Sequence, residues 1–160
     1  MSFCAKFYED IGEILELLEK EFGEDFKEIT RITCDERQRL ELTAFLNAKT
    51  KQSPVLKVVC TGNSCTIGVK IHTSLAKANK MRQEAIKRRI LLVPSYSDLF
   101  GVIDRSSGEI GFAVSSKPEL EDVERKLRKL LNFLKEMKIE PKIKVKGRRR
   151  RRERGLEEFL

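Results

Sequence analysis

The stretch VLKVVCTGNSCTIGVKIH, residues 55–72, holds two runs rich in β-branched residues on either side of TGNS. Such runs, separated by a turn that contains Gly and Asn, predict a hairpin with strands over 55–60 and 65–72. An isolated hairpin is marginal in water, so its apolar side needs partners from the flanking sequence. Upstream, RLELTAFLN at 39–47 alternates as a half-buried strand does. Downstream, residues 74–89 read as a helix that Ser74 can cap, and ILLV at 90–93 as an apolar strand ended by Pro94.

Further on, LFGVID and EIGFAVSS predict a second hairpin around RSSG. Residues 117–137 carry the clearest helical pattern, with Leu120, Val123, Leu127, Leu130, Leu131 and Leu134 on one face and Pro118 in the first turn. PKIKVKG after it predicts a short strand. At the other end, Phe7, Ile11, Ile14, Leu15, Leu18 and Phe22 fall at helical spacing over 5–22, with Gly23 as a C-cap, and Asp25 to Ile32 suggest a second short helix. The order predicts one α+β domain over 1–146, a mixed sheet flanked by three main helices, followed by a basic tail at 147–160.

A chain of 160 residues can bury a core without metals or disulfides. Its 36% charged residues exceed the usual level of about 25%, a composition that points to a thermophile with surface ion-pair networks. No apolar run is long enough to span a bilayer, and the acidic start is unlike a signal peptide, so an intracellular, cytoplasmic protein is expected. The net charge of +8 is unevenly spread. Residues 1–28 hold nine acids against three lysines, a net of −6. Residues 74–89 hold Lys77, Lys80, Arg82, Lys87, Arg88 and Arg89 against Glu84, a net of +5, and residues 140–160 hold nine bases against four acids, again +5. A solvated face explains one basic segment; together with the run Arg148, Arg149, Arg150, Arg151 and Arg152, they point to a polyanion, with DNA favoured over RNA.

Cys60 and Cys65 lie across the first hairpin, where facing Cβ atoms stand about 4.5–5.5 Å apart. Three readings are open. The expectation adopted is small buried side chains in a reducing cytosol. A disulfide, at home in a hyperthermophile, comes next, and zinc with Cys4, Cys34 or His72 comes third, since no second close pair completes a tetrahedron. His72 is the lone histidine and supports no triad, and neither standard glycine-rich phosphate loop is present. No cofactor and no metal are expected.

The segment from Pro94 to Gly147 places an aspartate at a hairpin, then a helix, then a basic strand. It resembles the core of the PD-(D/E)xK nucleases, archaeal Holliday-junction resolvases among them. The resemblance puts Asp98 at the family's aspartate. Ala113 and Ser115 stand where its glutamate and lysine belong, and Glu109 and Lys117 are near but at other spacing. It implies either a DNA-binding relative without the metal site, or a divergent nuclease using Asp98, Asp104 and Glu109 with a divalent metal.

The chain closes on Glu153, Arg154, Gly155, Leu156, Glu157, Glu158, Phe159 and Leu160. Leu156 and Phe159 are three apart, so one 3₁₀ turn puts both on the same side as an apolar plug, which Leu160 extends. The octet resembles the PCNA-interacting peptide, the PIP box, with Glu153 in place of the usual glutamine and Leu160 in place of an aromatic. The resemblance implies an archaeal-type accessory protein of DNA replication or repair that docks on a sliding clamp through Leu156, Phe159 and Leu160. In such a protein the arginines hold DNA and catalysis is not expected. An RNA- or ribosome-associated basic protein is the remaining alternative.

Overall fold

A computed structural model describes residues 12–14, 16, 17, 19, 20, 31–37, 39–46 and 52–139. The described positions between 12 and 20 are helical and belong to a first helix, α1. The remaining elements are strands β1 (Arg31–Cys34), β2 (Leu40–Phe45), β3 (Gln52–Cys60) and β4 (Cys65–His72), helix α2 (Leu75–Lys87), strands β5 (Leu91–Leu92), β6 (Tyr96–Ser97), β7 (Gly101–Val102) and β8 (Glu109–Ser116), and helix α3 (Leu120–Glu136). The expected α+β class is therefore the observed one.

The six-stranded sheet runs in the order β1-β2-β3-β4-β8-β5. Each of its pairings is antiparallel, where a mixed sheet was expected. Hairpin-linked neighbours account for the first four strands. The crossover from β4 through α2 to β5 would produce a parallel pair, but β8 inserts between the two and pairs antiparallel with both. Proline 54 is accommodated where the β3–β4 register shifts between Gln52 and Val55.

One side of the sheet carries the main core. Alternation sends Leu40, Leu42, Leu56, Val58, Ile67, Val69, Phe112 and Val114 to that side. There they meet Ile14 and Leu17 of α1, Ala78, Met81 and Ala85 of α2, and Val123, Leu127, Leu130, Leu131 and Leu134 of α3. Phe112 and Phe133 make an edge-to-face contact at 5.1 Å. On the other side, Val93, Ile103 and Ala113 form a smaller cluster with Leu99 and Phe100. Two glycines make room for it. A Cβ on Gly68 would stand 2.5 Å from Leu99 Cδ2, and one on Gly111 would stand 2.9 Å from Ile103 Cδ1.

Several local expectations give way to long-range pairing. Ile32, expected to end a short helix over 25–32, lies in β1 and pairs with Leu42; positions 25–30 lie outside the described residues. LFGVID does not pair with EIGFAVSS. β7 pairs with β6, because both edges of β8 are already taken by β4 and β5. RSSG closes as a 3₁₀ turn over Arg105–Ser107 with Gly108 in a left-handed conformation. Pro118 precedes the N-cap residue Glu119 rather than sitting inside α3. The expected strand at 141–147 and the whole tail lie outside the described residues.

The cysteines also differ from the expectation of free thiols. Cys60 and Cys65 form a disulfide across the first hairpin, with Cα atoms 4.0 Å apart. The Thr61 amide donates to the Ser64 carbonyl, so 61 and 64 are a hydrogen-bonded pair. The adjacent 60–65 pair is then of the non-hydrogen-bonded kind, in which facing side chains come closest. Both cysteines are fully buried. Cys34 is disulfide-bonded too, and no described cysteine is free. Replacing Cys60 and Cys65 together by alanine is expected to cost about 2 kcal/mol through unfolded-chain entropy for so short a loop. A thermal melt 4–8 °C lower, at about 2–4 °C per kcal/mol, is the expected reading.

Candidate nucleic-acid interface

Helix α2 positions most of the basic residues singled out in the first basic segment. The Ser74 side chain accepts from the Lys77 amide and starts the helix, and Ala78, Met81 and Ala85 bury its inner stripe. At its end the Arg89 amide donates to the Ile86 carbonyl and the Ile90 amide to the Ala85 carbonyl, a Schellman arrangement with Arg89 in the left-handed region at φ 59. Helix α3 ends the same way. The Lys138 amide donates to Lys135 and the Ile139 amide to Leu134, with Lys138 at φ 69. Glycine is the usual occupant of such a position; here both are basic residues, and both are exposed.

The helix sorts its basic residues by row. Lys77, Lys80, Glu84 and Lys87 follow one another at spacings of three or four residues and so share one flank. Arg82 falls on a different row with Leu75 and Ile86, which are 53% and 69% exposed. Lys80, Arg82, Lys87 and Arg89 are exposed, and Lys77 is half-buried. Among the described residues, none of these five has a carboxylate ion-pair partner. Partial burial, then the positive charges of Lys80 and Lys138, hold the Lys77 ammonium below its ordinary pKa.

Arg88 behaves differently from its neighbours. Its Nε donates to Glu84 Oε2 at 3.0 Å and its guanidinium pairs with Glu136 at 2.5 Å. The same guanidinium lies over the Phe133 ring, 5.7 Å from its centre. Hydrogen bonds to Glu84, then to Glu136, raise its pKa further. Sequence reasoning grouped Arg88 with the phosphate-binding residues; its partner on α3 lies far along the chain, and no local pattern marks it. Lys138 was not among the residues singled out, since a single lysine after a helix carries no motif.

Two of the three carboxylates of the nuclease resemblance accept from backbone amides in a turn. Asp104 Oδ1 accepts from the Ser106 amide, and Glu109 Oε1 accepts from the Asp104 amide at 2.8 Å. The Ser106 hydroxyl is the largest cause of a lowered Asp104 pKa. Asp98 lies in the turn between β6 and β7. Among the described residues, no group of three or more His, Cys, Asp or Glu is placed to hold a metal ion. His72 Nε2 lies 3.0 Å from the Ser107 carbonyl, which can only accept, so that nitrogen carries the proton. Arg148 to Arg152, Leu156, Phe159 and Leu160 lie outside the described residues.

No known protein family, no curated protein and no solved structure matches this chain. Among the described residues, no helix is long and apolar enough to cross a membrane.

Proposed function

We propose that this chain is a nucleic-acid-binding accessory protein that grips duplex phosphates electrostatically and docks on a sliding clamp through its C-terminal peptide. The observation that carries the first half is the set of Lys80, Arg82, Lys87 and Arg89, exposed on and just after one helix with no carboxylate partner among the described residues. A phosphate that meets them releases condensed counterions, and that release drives binding without reading sequence. The second half rests on the tail sequence alone. The high charged content together with disulfides fits an intracellular protein of a hyperthermophile, the setting in which such bonds persist inside cells.

Titration of fluorescent duplex DNA at increasing salt tests the reading. Binding at low salt that weakens steeply with added salt, and is indifferent to sequence, is expected. Equal affinity for poly-glutamate of matching charge would assign the surface to acidic proteins, and tighter binding to duplex RNA would assign it to RNA.

The clamp half makes its own prediction. A peptide of residues 147–160 should bind a sliding clamp in calorimetry, and alanine at Leu156 or Phe159 should cost about 1.5–3 kcal/mol, the value of one buried apolar side chain. No heat at high micromolar peptide, with a lower melting temperature for the full chain carrying both alanines, would show instead that the tail packs on its own domain.

A further inference from the structure

Building on the nucleic-acid reading, we propose that the Lys77–Lys80–Glu84–Lys87 row of α2, with Lys138 just after α3 beside it, is the surface that contacts phosphates. Arg88 is its positioning residue: its single positive charge offsets one of the two negative charges that Glu84 and Glu136 would otherwise set against that surface. The ten residue steps from Lys77 to Lys87 rise about 15 Å along the helix. One strand of a duplex presents about four phosphates over that axial length, at 3.4 Å each. The row would present three positive charges if Glu84 were silent. Arg88 Nε holds Glu84 Oε2 at 3.0 Å and weakens its opposing field, and the same guanidinium reaches across to Glu136, two residues before Lys138.

Arg88 is suited to this and poorly suited to holding a phosphate itself. Its Nε and Nη2 are engaged by two carboxylates and its face lies over the Phe133 ring. A planar guanidinium with a fork of donors can satisfy two carboxylates at once, which a lysine ammonium does less well. Without it, Glu84 would put a negative charge inside the lysine row and Glu136 another beside Lys138. Each would act on the phosphates bound nearest to it, over a Debye length of about 10 Å at 0.1 M salt. The chain thus uses one of the six basic residues of its 74–89 segment to remove opposing charge rather than to bind.

Full-length variants titrated with duplex DNA at about 0.15 M salt separate the roles, with thermal melts recorded for each. Arg88→Gln should weaken binding roughly fivefold, as one further uncompensated charge at about 4 Å in water-like surroundings would. Adding Glu84→Gln and Glu136→Gln to that variant should restore native affinity, and Arg88→Lys should retain most of it. Lys80→Gln should weaken binding with no rescue by the two glutamines. A triple variant that stays weak, while melting like the native chain, would show that Arg88 contacts phosphate directly and overturn the inference. Unchanged affinity in Arg88→Gln would overturn it as well. Absence of duplex binding by the native chain would instead sink the functional reading on which the inference rests.

Discussion

Gly108→Ala is expected to destabilise the protein by about 3–5 kcal/mol, which would make it one of the most damaging single-methyl additions available in this chain. Gly108 has φ 103, where L side chains are strained. A Cβ there would stand 1.9 Å from the Thr73 carbonyl oxygen, a backbone atom that cannot swing aside. Relief would require parting Gly108 from Thr73, whose amide donates to the Gly108 carbonyl at 3.0 Å, and loosening the His72 contact with Ser107. The effect can be graded against two other glycines. Gly101 has φ 70 but nothing within 4 Å of an added Cβ, so Gly101→Ala should cost about 1–2 kcal/mol, from the conformation alone. Gly62 has open space and no positive φ, and Gly62→Ala should stay within about 0.5 kcal/mol of native. Melting temperatures should fall in that order, with a loss of about 10 °C for Gly108→Ala, at about 2–4 °C per kcal/mol. Equal losses at the three sites would refute the steric account.

Deleting Arg148 to Arg152 is the second large effect, and it acts on binding. If each arginine meets a phosphate, the slope of log affinity against log salt should fall in magnitude by roughly 4–5, at about 0.9 per contact on duplex DNA. Between 50 and 200 mM salt, a slope change of that size corresponds to roughly 250- to 1000-fold in how much affinity the native chain loses and the deleted chain does not. The folded domain should melt unchanged. The residual slope then reports the α2 surface, where Lys80→Gln should remove about one further contact. An unchanged slope on deletion would mean that the arginines do not meet phosphate and would leave α2 as the whole interface.

The candidate interface was legible residue by residue and not as an arrangement. Lys77, Lys80 and Lys87 stand out in the sequence because they recur within one helical pattern, and the helix delivers them to one flank. Arg82 belongs to the same block of sequence, yet 100° per residue carries it to another row. Arg88 has the charge expected of a phosphate ligand, and its ion pair with Glu136, remote in sequence, is visible only in the fold. Asp104 and Glu109, which the sequence offers as carboxylates, each accept from a backbone amide in the turn between them, a contact that only the fold shows.

By itself, the amino-acid sequence determined what short-range physics controls. The hairpin at 55–72, the strand at 40–45 and the helices at 75–87 and 120–136 follow from alternation, helical periodicity and the Ser74 cap, all acting within a few residues. The tertiary structure alone decided which of these elements became neighbours. β8 lies between β4 and β5, β7 turns to β6, and Ile32 joins a strand, because backbone donors and acceptors must be paired across the sheet whatever the local preference. The same is true of the disulfide. Two cysteines flanking a turn allow a bond, but only the register that makes 60 and 65 a close, non-hydrogen-bonded pair brings their sulfurs together.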